Sequence, residues 1–190
     1  MRLFLALALP EDVADALVGV MEGVAGARWV PSDNLHLTLR FLGEVDRHAV
    51  RDLDAALMAL RHPAFDLWLE GAGVFEHRGR ADALWIGAGP QAPLDALHRK
   101  VDQAAAAAGL GHETRAFRPH VTLARLPRGA GPPGEAMARI GRLGRLGLRA
   151  SEVTLYESRL GAGDPHYVPL ARYPLSLPDP ARLRPPAPLA

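Results

Sequence analysis

A four-residue pattern whose side chains could carry out catalysis occurs twice in the chain, as HLTL at residues 36–39 and as HVTL at residues 120–123. Both copies lie in runs that alternate apolar and polar residues, which is typical of a strand with one buried face. Residues two apart in a strand point to the same face. Each copy therefore sets one imidazole beside one hydroxyl, His36 with Thr38 and His120 with Thr122.

An imidazole beside a hydroxyl suits chemistry at a phosphoryl group. The hydroxyl can donate to a phosphate oxygen, and the imidazole titrates near neutral pH and can move a proton. If the two strands face each other across a cleft, one imidazole can act as general base and the other as general acid. That arrangement fits attack of water on a cyclic phosphate with a departing sugar oxygen, and it requires no metal.

Two other interpretations compete with catalysis. A single strand histidine beside a threonine is usually a partly buried residue with a local hydrogen bond, and only the duplication favours function. A zinc site would need a third ligand at a suitable spacing, and the chain has neither an HExxH pattern nor any cysteine. We therefore predict that the protein uses no metal and no cofactor.

The composition excludes several classes of protein. The chain has 190 residues, of which 48% are apolar, and its 22 basic and 21 acidic side chains nearly cancel. That length suffices for a hydrophobic core, and the charge balance argues against a histone-like binder. No run of about 18 apolar residues is present, so we predict no membrane span. The apolar start MRLFLALALP runs into an acidic segment rather than a cleavage site, which favours a buried strand in a cytoplasmic protein.

The elements that must position the two patterns follow from the hydrophobic periodicity. The sequence predicts helices beginning at Pro10, at 46–60, at 93–108 and around 136–146. It predicts strands at 2–9, 34–42, 65–69, 83–88, 118–126, 153–159 and 167–175, with turns at the glycines 71 and 73 and at 77–80. No glycine-rich fingerprint follows a strand, so the doubly wound nucleotide-binding fold is disfavoured. We predict an α+β protein with two related lobes, and a proline-rich disordered tail at 178–190.

At the residues of the two patterns the chain resembles the 2H phosphoesterase superfamily, which is defined by paired H-x-T/S-x motifs. The segments at 34–45, 117–125 and 157–170 resemble the bacterial RNA 2′,3′-cyclic phosphodiesterase group, historically called 2′-5′ RNA ligase. The resemblance extends from the first strand to about Tyr173. It implies a single domain over residues 1–177, bilobal about a pseudo-twofold axis, with antiparallel sheets facing a central cleft and helices outside.

The resemblance also implies roles for the paired side chains, which symmetry alone cannot distinguish. It assigns the proton donor to His36 and the proton acceptor to His120, with Thr38 and Thr122 holding the phosphate. Arg125 matches a position associated with the substrate. Its odd offset from His120 would put it on the opposite face unless the strand bends or ends.

Four further residues are candidates for substrate contact or for positive potential. Phe41 and Tyr167 could stack on a base, although core packing is an equal alternative for Phe41. Arg118 and Arg40 flank the motifs and could add positive potential, with a solvated edge as the alternative.

Three functions remain open at this point. The first is hydrolysis of a 2′,3′-cyclic phosphate end, on RNA or a nucleotide, to a 2′-phosphomonoester. The second is a ligase that joins such an end to a 5′-hydroxyl through a 2′-5′ linkage. The third is an RNA-binding module without catalysis, which the presence of both histidines and both threonines disfavours. We predict an RNA or nucleotide substrate, no membrane partner and a monomer.

Overall fold

The computed structural model describes residues 1–159 and 165–176, and these residues contain four α-helices, one short 3-10 helix and nine strands. The strands are β1 (Arg2–Ala8), β2 (Arg28–Trp29), β3 (His36–Glu44), β4 (Phe65–His77), β5 (Arg80–Gly89), β6 (His120–Arg125), β7 (Leu146–Ala150), β8 (Glu152–Arg159) and β9 (His166–Pro174). The helices are α1 (Glu11–Val18), α2 (Arg47–Met58), α3 (Gln91–Ala107) and α4 (Gly134–Gly141), and the 3-10 helix is Ser32–Asn34.

The strands form one antiparallel sheet in two halves. The order across the sheet is β7-β4-β5-β6-β3-β1-β8-β9, with β2 added beside β6. The halves meet where β3 pairs with β6 at Leu37 and Val121. The predicted α+β class, with related antiparallel halves, is confirmed.

Each helix buries an apolar stripe whose positions follow the helical period. Asp46 accepts hydrogen bonds from the backbone N–H groups of His48 and Ala49 and so caps α2, as its position predicts. The predicted stripe of α3 is fully buried, at Leu94, Leu97, Val101 and Ala105. In the residues that the structure describes, no helix is long and apolar enough to cross a membrane.

Two predicted boundaries are wrong. The strand predicted at 65–69 continues to His77, because Gly71 and Gly73 lie inside β4 rather than in a turn. Gly71, with φ of +73°, is the extra residue of a bulge against β5. The helix predicted around 136–146 ends at Gly141, and the strand β7 that follows was not predicted.

The predicted tail at 178–190 lies outside the described residues. The limits of the predicted domain therefore remain a prediction.

The two halves arise from a repeated order of elements with an exchanged strand. The first repeat has the order β1-α1-β3-α2-β4. The second repeat has the order β5-α3-β6-α4-β8, with β7 inserted before β8. The last strand of each repeat pairs with the first strand of the other repeat, β4 with β5 and β8 with β1. Each half of the sheet is therefore built from both repeats.

Candidate active site

The two motifs meet at the centre of the sheet. Leu37 and Val121 occupy the same position of each motif and pair with each other, so a local twofold axis passes between them. Both side chains are fully buried, at 1% and 0% exposure, and point into the core beneath the helices. The residues on either side of this pair therefore point to the opposite face, which we call the histidine face: His36, Thr38, His120 and Thr122.

The antiparallel register sets these four side chains together. It places His36 across from Thr122 and Thr38 across from His120, because each lies one residue from the central pair. Diagonal neighbours in such a pair, such as His36 and His120, lie about 7–8 Å apart. The two imidazoles therefore flank a space of about the width of one phosphoryl group.

Each motif strand carries a bulge at the leucine that ends its motif. Arg40 and Thr38 pair with consecutive residues of β1, so Leu39 is the extra residue in β3. Leu123 is likewise the extra residue in β6 against β5. A bulge of one residue reverses the alternation of side chains beyond it.

The two bulges return the fifth residue after each histidine to the histidine face. In β6 this residue is Arg125, which is exposed. In β3 it is Phe41, which is 51% exposed and lies beside Phe4, with ring centroids 6.0 Å apart. The odd offset of Arg125 from His120 therefore does not place it on the opposite face, because the bulge interrupts the alternation between them.

Both imidazoles are anchored by the same hydrogen bond. The Nδ1 atom of His36 lies 2.7 Å from the carbonyl oxygen of Asn34, and that of His120 lies 2.6 Å from the carbonyl oxygen of Arg118. A carbonyl oxygen can only accept, so each Nδ1 carries the proton and donates it. In each neutral ring Nε2 is then the atom with a free lone pair, available to exchange a proton.

Aromatic rings surround His36 and lower its pKa. The ring centroid of Phe4 lies 4.8 Å from that of His36, and the ring of Tyr167 approaches edge-on at 5.3 Å. The pKa of His36 is lowered from 6.5 to about 4, chiefly by burial and also by the nearby charge of His120, while the hydrogen bond to Asn34 opposes the shift. In the free protein at neutral pH, His36 is therefore uncharged.

His120 has a similar but less enclosed environment on the other half of the sheet. The ring of Phe75 meets it edge-on at 4.7 Å, and that of Trp85 lies at 6.2 Å. Burial lowers the pKa of His120, and the positive charge of Arg125 adds to that effect. Trp85 can lie there because Gly73 has no side chain, since a Cβ at residue 73 would come 2.2 Å from the indole ring.

The remaining candidates fall in different places. Thr38 and Thr122 are half-buried on the histidine face, and Tyr167 contacts His36 as described. Arg118 is exposed, and its backbone carbonyl anchors His120. In the described ranges, no group of three or more histidine, cysteine or carboxylate side chains could hold a metal ion.

Neither expectation for Arg40 is correct. Its side chain is 7% exposed and is directed away from the histidine face by the bulge. Its guanidinium forms ion pairs with Asp102, at 2.9 Å, and with Glu113, at 3.2 Å. Arg40 therefore joins β3 to α3 and to the segment after it, and is neither a cleft cation nor a solvated edge.

Comparison with known proteins agrees with this arrangement. A model of the 2′-5′ RNA ligase superfamily matches residues 10–162. The chain belongs to this superfamily. Among its relatives is the RNA 2′,3′-cyclic phosphodiesterase of Escherichia coli K12, 32% identical over 182 residues, which cover 92% of this chain and 97% of the relative. The protein of that name from Methanothermobacter thermautotrophicus is 29% identical, over 87% of this chain and 94% of its own.

Solved structures of superfamily members have the same fold. The E. coli LigT structure in complex with 3′-AMP superposes with a TM-score of 0.74 at 30% identity, covering 92% of this chain and 97% of that one. The structure of TT0787 from Thermus thermophilus superposes with a TM-score of 0.75 at 28% identity, covering 93% and 99%. The predicted family is confirmed.

Several residues around the site of this superfamily member were not predicted. Phe4, Phe75 and Trp85 pack against the histidines, and only their strand pairings bring them there. Asn34 was also missed, although it precedes the first motif. Its carbonyl oxygen anchors His36, and its side-chain amide donates to the carbonyl oxygen of Pro165 at 2.7 Å.

Proposed function

We propose that this protein hydrolyses the 2′,3′-cyclic phosphate at the end of an RNA or a nucleotide to a 2′-phosphomonoester, by acid and base catalysis with His36 and His120. The observation that carries the proposal is the pair of imidazoles about a local twofold axis, each anchored through Nδ1 with Nε2 left to exchange a proton. The names of the curated relatives support the same reaction.

The proposed reaction uses one proton from each side of the phosphate. Nε2 of neutral His120 accepts a proton as water attacks phosphorus, and the bond from phosphorus to the 3′-oxygen breaks. Nε2–H of protonated His36 gives its proton to the departing 3′-oxygen, which becomes the 3′-hydroxyl. The hydroxyls of Thr38 and Thr122 donate to the non-bridging phosphate oxygens. Proton exchange with solvent then restores both histidines.

The donor role of His36 requires the substrate's own charge. With a pKa of about 4, His36 is neutral in the free protein at neutral pH. A cyclic phosphate is an anion, and an anion next to an imidazole favours the protonated form and raises its pKa. Bound substrate therefore recruits the proton that His36 transfers.

The test is to identify the product from 2′,3′-cyclic AMP and from an oligonucleotide with a 2′,3′-cyclic end, each with and without excess EDTA. We expect a 2′-monophosphate in every case. A 3′-monophosphate would contradict the proposed bond breakage, and loss of activity in EDTA with recovery on adding Zn²⁺ or Mn²⁺ would contradict a metal-free mechanism. A 2′-5′ linked product on adding a 5′-hydroxyl oligonucleotide would identify a ligase. The absence of turnover with retained oligonucleotide binding would identify a binding module.

We further propose a monomeric protein that acts in the cytoplasm on RNA ends or small cyclic nucleotides. The near-neutral charge balance and the site within a single chain support this. Sedimentation of the purified protein, with and without oligonucleotide, tests the monomeric state.

A further inference from the structure

A row of residues on the histidine face leads away from His120 across three neighbouring strands. His120 pairs with Gly87, and Gly87 pairs with Glu70. Glu70 accepts a hydrogen bond from Nε of Arg145 at 2.8 Å, just before the start of β7. Strands lie about 4.8 Å apart, so Arg145 is about 14 Å from His120 along the sheet.

Gly87 leaves the middle of this row without a side chain. A Cβ at residue 87 would come 2.9 Å from the carbonyl oxygen of Glu70. Trp85 stands on one side of this position along β5, and Trp68 stands on the other side in β4. The row is therefore a shallow track that begins at His120 and is bordered by two indole rings.

The far end of the track is formed by the planar guanidinium group of Arg145. The guanidinium of Arg145 lies over the ring of Trp68, with its carbon 4.6 Å from the ring centroid. Trp68 in turn lies close to the backbone at Gly89, where a Cβ would come 3.2 Å from the indole nitrogen. The ion pair with Glu70 holds the guanidinium in place, while the Arg145 side chain remains 62% exposed. One face of the guanidinium is therefore covered by indole and the other faces outward.

We propose that Arg145, supported by Trp68 and Glu70, is a stacking platform for a base of the RNA strand that lies upstream of the cyclic end. This inference rests on the proposed function and specifies its substrate as an oligonucleotide. A 2′,3′-cyclic phosphate is the last group of its strand, so every other nucleotide must leave the site on one side. RNA-binding proteins commonly stack unpaired bases on guanidinium planes and on aromatic rings.

The track on the β6 side suits that strand better than the β3 side does. Next to His36, Phe4 is only 3% exposed and is stacked on Tyr156, with centroids 5.1 Å apart. Those two rings are used in packing against one another. Phe41 is exposed on that side, but among the described residues the guanidinium that lies over a ring is that of Arg145. Stacked nucleotides advance about 3.4 Å each, so a separation of about 14 Å corresponds to about four nucleotides, fewer if the strand is extended. A mononucleotide at His120 therefore does not reach Arg145, whereas a hexanucleotide does.

The experiment compares kcat/KM for 2′,3′-cyclic AMP and for a hexanucleotide with a 2′,3′-cyclic end. We expect Arg145→Ala to lower the ratio of hexanucleotide to mononucleotide at least about fivefold, the lower range for loss of one stacked base. Arg145→Lys keeps the positive charge but loses the planar guanidinium group, and we expect it to lower the ratio of hexanucleotide to mononucleotide kcat/KM to a similar extent. Arg149→Ala is the matched control, because Arg149 lies on β7, four residues beyond Arg145, in an exposed ion pair with Asp66 at 2.8 Å. We expect it to leave the ratio unchanged.

An unchanged ratio in Arg145→Ala, or an equal loss in Arg149→Ala, would overturn the proposal. Full retention in Arg145→Lys would overturn stacking in favour of a simple charge contact. If the wild-type protein hydrolyses neither substrate, the proposed function fails by itself. The platform is then tested by the affinity of the same variants for a fluorescent hexanucleotide with a 3′-phosphate, where Arg145→Ala is again expected to weaken binding at least about fivefold.

Discussion

His36 and His120 have the same anchoring hydrogen bond and differ in how strongly their surroundings oppose a positive charge. Because each Nδ1 donates to a backbone carbonyl two residues earlier, the ring orientation is set by the strand itself. Rings from β1 and β9 enclose His36, whereas His120 is less enclosed. In the free protein the more enclosed His36 is the harder of the two rings to protonate, so its donor role depends on the charge of the bound phosphate.

Replacing either histidine with alanine should remove most turnover. General acid or base catalysis by a positioned histidine is typically worth about 10²–10⁴-fold, so we expect losses of that size in kcat for His36→Ala and for His120→Ala. The double variant should be hardly slower than either single one, because the two rings act on one phosphate. The control is His48→Ala, an exposed histidine on α2. Full activity in either single variant, with a native circular dichroism spectrum, would refute the two-histidine mechanism.

The pH dependence of kcat/KM should be bell-shaped, with its maximum on the acid side of 6.5. In the free protein the pKa of His36 is about 4 and the pKa of His120 is lowered from 6.5, so the singly protonated pair is most abundant at a pH below 6.5. The kcat profile reports the substrate complex, in which the phosphate anion raises the pKa of the imidazole that carries the proton. Its maximum should therefore lie at higher pH than that of kcat/KM. A kcat/KM maximum on the alkaline side of 6.5 would contradict the assigned protonation states.

At the scale of elements, the bulges in β3 and β6 shape the site. The backbone carbonyl oxygen of each extra residue accepts a hydrogen bond from outside the strand pair that contains the bulge. Nδ1 of His98, on α3, lies 2.8 Å from the carbonyl oxygen of Leu39. The backbone N–H of Val30 donates to the carbonyl oxygen of Leu123 at 2.9 Å. A helix side chain therefore contacts the β3 bulge, whereas the residue that follows β2 contacts the β6 bulge.

His98→Ala should destabilise the protein and disturb the β3 bulge. It leaves the carbonyl oxygen of Leu39 without its donor and removes the stacked contact with Phe117, whose ring centroid lies 4.2 Å away. We expect the free energy of unfolding in urea to fall by about 1–3 kcal/mol. Arg99→Ala, at the next and exposed position of α3, is the control and should change it by less than about 0.5 kcal/mol. Equal stability of the two variants would show that His98 does not support the bulge.

The elements that sequence predicted are those whose pattern is local. The alternation of each motif strand and the four-residue stripe of α3 contain their own period, and both were predicted. The bulges could not be predicted, because Leu39 and Leu123 fit a regular alternation. Only the pairing with the neighbouring strand reveals that each is an extra residue. β7 was missed because its segment, LGLRA, has a glycine and an arginine within five residues and little β propensity of its own.

The same distinction applies to the candidate site. The four histidines and threonines follow from a repeated local pattern, and the structure brings them to one face. The contact of Phe75 with His120 joins residues 45 positions apart, and the ion pair of Arg40 with Asp102 joins residues 62 apart. Such contacts depend on tertiary packing, which no short pattern contains.

For the whole molecule, the exchanged strands tie the two repeats together. β4 completes the half of the sheet that contains β5 and β6, and β8 completes the half that contains β1 and β3. The two motif strands themselves meet at only one residue pair. Exchange of these strands therefore contributes more to joining the two repeats than the single central pair does.

This exchange predicts that neither repeat folds alone. A chain cut in the β4–β5 hairpin, between Arg78 and Gly79, yields a first fragment whose β1 lacks β8 and whose β4 lacks β5. The edges of β1 and β4 that normally pair with β8 and β5 would then be exposed, with unpaired backbone N–H and C=O groups. We expect each fragment alone to lack a cooperative thermal transition by circular dichroism, and an equimolar mixture to recover both the transition and turnover of 2′,3′-cyclic AMP. The uncut chain should unfold in one transition, with calorimetric and van't Hoff enthalpies equal. A cooperative transition in the first fragment alone, or two separate transitions in the uncut chain, would show that the repeats are independent folding units.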